Sequence, residues 1–294
     1  MKPNGLKNKT RENHKIDGLS PDANKLRGHS KIINVETLTK NIDLAWETTR
    51  TPAEFRSKLL VIFRTTLSEG SNFIQDRFLS NNDGAEAVLA QAYLMDSLIK
   101  AALETVDTKL YRAPNPTRGE QLCIIAVGGY GRGELAPFSD IDLLFLLPYK
   151  QTPRVEQVVE TILYLLWDMK LKVGHSTRSI DECMRQAKAD MTVRTAILES
   201  RYICGEISLM EQMIARFREE IIKGSALEFV EAKLKESDDR HRQLGDSRYV
   251  IEPNIKDGKG GLRDLHKLFW IGKYAYKTDD VSALVSEGVL SLDD

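Results

Sequence analysis

Apolar residues recur at helical spacing over most of this chain, and the pattern changes in one stretch near its middle. Thr51-Pro52-Ala53-Glu54 reads as a helix start, with Thr at the N-cap, Pro at the first helical position and Glu at the third. Phe55, Leu59, Leu60, Phe63 and Leu67 follow at a spacing that places them on one face. Asn81-Asn82-Asp83-Gly84 breaks the pattern, and Ala85 to Val106 predicts a second helix facing inward through Leu89, Tyr93, Leu94, Leu98 and Ala102. After the loop Ala113-Pro114-Asn115-Pro116, the period changes. Leu122–Val127 and Ile141–Leu147 are short, continuous apolar runs of the kind that form buried strands. Pro153–Met169 predicts a helix carrying Val158, Ile162, Leu165 and Leu166, and Leu171–Ser176 predicts a third strand. Helices are expected from Ile180 onward.

The expected fold class is α+β: a small mixed β-sheet core flanked by helices and followed by a helical region. Residues 1–30 are polar and basic, without apolar periodicity, and read as a disordered tail. The remaining divisions are an N-terminal helical region over 31–115, the sheet core over 116–190 and a helical domain over 191–294. The sequence stops at Asp294, soon after an amphipathic segment, and a longer parent is expected to continue beyond it.

Composition narrows the function classes. Hydrophobic residues make up 41% and charged residues 29%, as in ordinary globular proteins. A net charge of −1 provides no global basic field, so no nucleic-acid partner is expected. No stretch approaches the ~18 apolar residues that span a bilayer, so no membrane association is expected either. Cys123, Cys183 and Cys204 are widely separated and form no CxxC pair, which argues against a disulfide framework or zinc site and fits a cytoplasmic protein.

The chemistry concentrates between the first two strands. Asp140 and Asp142 lie two apart on an otherwise apolar strand, so they project to one face and repel. A hard divalent cation such as Mg2+ would compensate them. Gly128 and Gly129 directly follow a strand, where backbone N–H groups can approach phosphate oxygens without a Cβ in the way. A helix start near Tyr130–Leu135 would favour the same anion, Arg132 could pair with a phosphate, and Ser139 could donate its hydroxyl. Gly-Gly followed about ten residues later by Ser-Asp-x-Asp, between two buried strands, supplies the parts of metal-dependent phosphoryl-type transfer. The dinucleotide fingerprint and the Walker A ending are both missing. The basic, Gly-rich stretch Lys256–Asp264 reads either as a contact for triphosphate or protein substrate, or as a solvated turn before a helix capped by Asp264. His14, His29, His175, His241 and His266 have no metal-ligand spacing, and His241 and His266 read as surface or helix-face residues.

Gly128–Leu147 resembles the DNA polymerase β-type nucleotidyltransferase superfamily. A longer set of motifs is similar to the bacterial PII uridylyltransferase/uridylyl-removing enzymes. They are Val127–Leu147, Leu166–Arg178, Glu252–Lys256 and Gly260–His266, within a resemblance running from about Leu59 to Tyr276. The resemblance implies that Asp140 and Asp142 bind Mg2+, and that Gly128, Gly129 and Ser139 hold the phosphates of UTP. UMP would pass to a tyrosine of the PII signal protein, with pyrophosphate leaving, and glutamine would control the full-length enzyme. Uridylyl removal and glutamine sensing would require domains beyond Asp294. Alternative readings are an adenylyltransferase, a small-molecule nucleotidyltransferase, or an inactive nucleotide-sensing module. Many superfamily members carry a third catalytic acid on the next strand. The stretch Lys172–Ser176 offers none, which leaves His175, Asp168 and Asp181 as candidates.

Overall fold

The computed structural model describes residues 29–149, 151–245, 252, 254–277 and 281–286. Two short helices precede the first long one: α1 (His29–Ile32) and α2 (Val35–Thr48), the latter N-capped by Asn34. Helix α3 (Pro52–Asn81) starts as the sequence predicts. Thr51 Oγ1 accepts the Glu54 N–H at 3.2 Å, and Glu54 reaches back to the Arg50 N–H at 3.0 Å. It ends where Asn82 turns left-handed (φ 54°), and Asp83 then caps α4 (Gly84–Thr105) by accepting the Glu86 N–H at 2.9 Å.

Next come β1 (Cys123–Ala126), a four-residue helix α5 (Gly128–Gly131), β2 (Ile141–Leu147), α6 (Pro153–Asp168) and β3 (Val173–Ser179). Helices α7 (Ile180–Ala189) and α8 (Met191–Leu198) lead to β4 (Arg201–Gly205). Helices α9 (Ile207–Phe217), α10 (Ala226–Gln243), α11 (Leu262–Tyr276) and α12 (Val281–Ser286) complete the described chain.

The four strands form one mixed sheet in the order β3-β2-β1-β4. The β1–β2 and β1–β4 pairs are antiparallel. The β2–β3 pair is parallel, so it needs a crossover, and α6 supplies it. Apart from Asp142, the central strands are apolar throughout because both faces are covered. Ile124, Ala126, Ile141, Leu143 and Phe145 pack against α2, α3, α4 and α6, while Cys123, Ile125, Leu144 and Leu146 pack against α7, α8, α9 and α11. Helices on either side of residue 116 therefore share one core with the sheet.

Two sequence expectations change. The third strand runs over 173–179 rather than 171–176. A fourth strand, unpredicted, lies in the stretch expected to be helical after Ile180. The sheet thus extends past residue 190 into residues 201–205. The tail expected over 1–30 lies outside the described residues except for His29 and Ser30, which open α1. Among the described residues no helix is long and apolar enough to cross a membrane.

Candidate active site

The site forms where β1 ends, β2 begins and β3 runs alongside. Val127 N–H donates to the Asp142 carbonyl at 3.0 Å, so the turn after β1 is tied to the strand that carries the carboxylates. Asp142 pairs with Gly174 across the parallel ladder. Its two carboxylate oxygens lie between two glycines. A Cβ on Gly174 would fall 2.3 Å from Oδ1, and one on Gly128 would fall 3.3 Å from Oδ2. Gly128 also has φ +60°, a conformation that glycine adopts without steric cost. The short helix therefore begins at the glycines themselves, earlier than the Tyr130–Leu135 start expected from sequence. The first N–H groups of a helix have no partner within it, which leaves those of Gly128 and Gly129 free to meet an anion.

Asp142 is half-buried, and Asp140 and Ser139 are exposed just before the strand. Burial and the negative charge of Asp140 raise the Asp142 carboxyl above its ordinary value. A site that strains its own carboxylate in this way suits a divalent cation, and two carboxylates leave further positions for water and phosphate oxygens. Among the described residues, no group of three or more His, Cys, Asp or Glu side chains forms a self-contained metal cage.

None of the three candidates for a third acid lies beside Asp142. His175 is next to Gly174 on β3 and so points to the opposite face, where its ring meets Trp167 with centroids 5.7 Å apart. Asp168 ends α6 on that same side, its carbonyl accepting from Arg64 Nε at 3.2 Å. Asp181 follows the far end of β3 and pairs with Arg216 at 2.5 Å. Ser179, just before it, is opposite Leu147, roughly 17 Å along the strand from Asp142 at ~3.3 Å per residue.

Arg132 is not directed into open solvent. Its Nη1 bonds the carboxylate of Glu199, whose side chain is 3% exposed, and its Nε bonds Glu134 at 3.3 Å. Gly131 lies against the end of α8, and a Cβ there would fall 2.1 Å from the Glu199 carbonyl oxygen. Behind the loop, the buried Tyr130 hydroxyl donates to Asp96 at 2.6 Å. Asp96 in turn receives Arg201 at 2.6 and 3.1 Å. Sequence reasoning missed Asp96, Glu199 and Arg201. The one local signal was Asp96, an acid inside the apolar run of α4.

The stretch Lys256–Asp264 turns into α11 at Gly261, which is the N-cap in place of the expected Asp264. Asp264 lies in the first turn of α11 and accepts from Gly260 N–H at 2.8 Å, Arg240 at 2.6 Å and His241 Nε2 at 3.0 Å. His241 lies on the buried face of α10, the helix-face alternative of the sequence reading, where Asp264 satisfies it. His266 is half-buried, and burial and the charge of Arg132 lower its pKa. The three cysteines are free and buried, and burial pushes the Cys123 and Cys183 thiols up to about 12.

Replacing Gly174 with Ala is expected to lower any activity that depends on this carboxylate by about 100-fold, because the added methyl group forces Asp142 from its position. The circular-dichroism spectrum should be unchanged, since β3 is a half-buried edge strand.

Comparison with known proteins places this geometry. The model of the nucleotidyltransferase domain family matches residues 117–203, and that of the GlnD PII-uridylyltransferase family matches residues 228–294. A bifunctional uridylyltransferase/uridylyl-removing enzyme of Azospirillum brasilense is 55% identical over 237 residues, which cover 81% of this chain and 25% of that protein. The same-named protein of Rhodospirillum rubrum is 50% identical over 270 residues, covering 92% and 29%. That of Rhodopseudomonas palustris is 49% identical over 246 residues, covering 84% and 26%. The chain thus spans between a quarter and a third of the length of these relatives.

Proposed function

We propose that this chain, which carries a nucleotidyltransferase domain and is related to bifunctional uridylyltransferase/uridylyl-removing enzymes, transfers UMP from UTP to a tyrosine of a PII signal protein. The observation that carries the reading is the Asp142 carboxylate set between Gly128 and Gly174, beside Asp140 and a turn with free backbone N–H groups. In the reaction, the tyrosine oxygen bonds to the α-phosphorus as its proton is released. The bond from that phosphorus to the bridging oxygen breaks, and pyrophosphate leaves.

Asp140 and Asp142 would hold a divalent cation, Mg2+ in this reading, which when bound offsets the charge of the triphosphate. The N–H groups of Gly128 and Gly129 would receive phosphate oxygens, and the exposed Ser139 hydroxyl would donate to another. The turn is pre-organised for this, since Tyr130 anchors it from within the core. The same proposal places the protein in the cytoplasm and makes glutamine an effector of the whole enzyme. We assign uridylyl removal and the glutamine response to none of the described residues.

The test is incubation of the protein and PII with Mg2+ and either labelled UTP or labelled ATP. Label is expected on a PII tyrosine from UTP. Labelling from ATP alone would overturn the uridylyl assignment.

A further inference from the structure

The α11 helix, whose start carries the motif Gly260–His266, reaches the site through a single buried carboxylate. Glu199 Oε1 accepts both Arg132 Nη1 and the indole N–H of Trp270, the latter at 2.5 Å. Burying a carboxylate at 3% exposure is costly unless it is paired and hydrogen-bonded, as Glu199 is by Arg132 and Trp270. Here it immobilises Arg132, with Glu134 holding the Nε side of the same guanidinium at 3.3 Å.

An arginine has five N–H donors, and these contacts use only the Nη1 and Nε edges. The Nη2 amino group bonds to no group among the described residues. It lies 3.6 Å from the point where a Cβ on Gly129 would sit, so it borders the turn whose N–H groups face the phosphate position. The Trp270 ring closes the other side of Glu199. It is 94% buried and lies 6.0 Å from the ring of His266, whose Nδ1 is also buried and unpartnered.

We propose that Glu199 and Trp270 are positioning residues for the nucleotide: Trp270 orients Glu199, Glu199 orients Arg132, and the free Nη2 edge of Arg132 bonds a triphosphate oxygen beside Gly129. The inference rests on the reading of the site given above. It makes α11 part of the nucleotide-binding apparatus without any of its side chains touching the nucleotide. Glu199→Gln removes the charge that holds Arg132, and Trp270→Phe keeps the ring but removes the N–H. A guanidinium fixed by a charged partner loses less freedom on binding than one that must be ordered.

The experiment measures the Kd of UTP with Mg2+, the KM for UTP and kcat for the parent protein, Glu199→Gln, Trp270→Phe, Arg132→Ala and the double variant Arg132→Ala/Glu199→Gln. Melting curves check each fold. The expected result is a rise in Kd and KM of about tenfold for Glu199→Gln and about threefold for Trp270→Phe, with kcat changed less than twofold. In the Arg132→Ala background, Glu199→Gln should add nothing, because its effect passes through Arg132. Unchanged Kd in both single variants, or full additivity in the double variant, would overturn the inference while leaving the site reading intact. A parent protein that binds no UTP would overturn both. If Glu199→Gln fails to fold, Trp270→Phe alone decides: a melting temperature like the parent's with an unchanged Kd overturns the proposal.

Discussion

Replacing Asp142 with Asn is expected to reduce the proposed uridylyl transfer by at least about a thousandfold while leaving the fold as stable as before, or more so. The loss follows from the role of the carboxylate. Removing a group proposed to hold the charge-compensating cation would cost several kcal/mol of transition-state stabilisation, and each ~1.4 kcal/mol is tenfold in rate. The stability result follows from the sign of the pKa shift. Burial first, and the charge of Asp140 second, raise the folded-state pKa of Asp142 above its ordinary 3.8. The folded protein therefore holds this proton more tightly than the unfolded chain does. Stability is lost as pH rises from the unfolded pKa through the raised folded one, and at pH 7 the whole penalty applies. Asn has no charge to penalise, so the melting temperature of the metal-free protein at pH 7 should hold or rise. As pH falls towards 3.8 the difference should shrink. Rate measurements at pH 7, with melting curves at pH 7 and at lower pH, check this. Transfer that persists in Asp142→Asn would rule out the carboxylate mechanism, and a marked drop in melting temperature would show Asp142 to be a structural residue.

The place of that carboxylate was legible in the sequence because an acid within an apolar strand stands out, and the glycines before it mark a backbone kept clear. The central strands were legible for a related reason: both faces are covered, so every position but Asp142 is apolar. What was hidden depended on partners far along the chain. The polar run of β3, Val173-Gly-His-Ser-Thr-Arg-Ser179, has no hydrophobic period, and pairing with β2 sets its limits. Arg201 at the head of β4 looks like a surface charge until Asp96, 105 residues away, neutralises it. Glu199, Trp270 and His241 follow the same logic, since each polar group is buried only because a distant side chain satisfies it. The candidates for a third acid failed on a simpler point. Sequence proximity placed His175 next to Gly174, and strand alternation sends it to the other face.

Truncating one side of the Asp96–Arg201 pair is the second change expected to have a large effect. Asp96 is 1% exposed and its carboxylate accepts three hydrogen bonds: Arg201 Nη1 at 2.6 Å, Arg201 Nη2 at 3.1 Å and the Tyr130 hydroxyl at 2.6 Å. Arg201 also donates to the Tyr130 carbonyl at 3.1 Å, and its guanidinium carbon lies 5.3 Å from the centre of the Tyr130 ring. The group joins α4, the catalytic turn and β4, three segments distant in sequence. Replacing Arg201 with Met takes the facing guanidinium from a buried carboxylate, and breaking a buried pair costs about 3–5 kcal/mol. A typical domain has ~5–15 kcal/mol in all, so the variant should fold marginally. Replacing both partners, Asp96→Leu with Arg201→Met, removes the stranded charge and should recover much of that loss. Activity should not return with it, because Tyr130 has then lost the acceptor that fixes the turn carrying Gly128 and Gly129. Denaturant unfolding of the parent, Arg201→Met and the double variant, with transfer rates measured on each, separates the two roles. If Arg201→Met costs less than about 1 kcal/mol, or if the double variant regains full transfer, the buried pair does not anchor the catalytic turn.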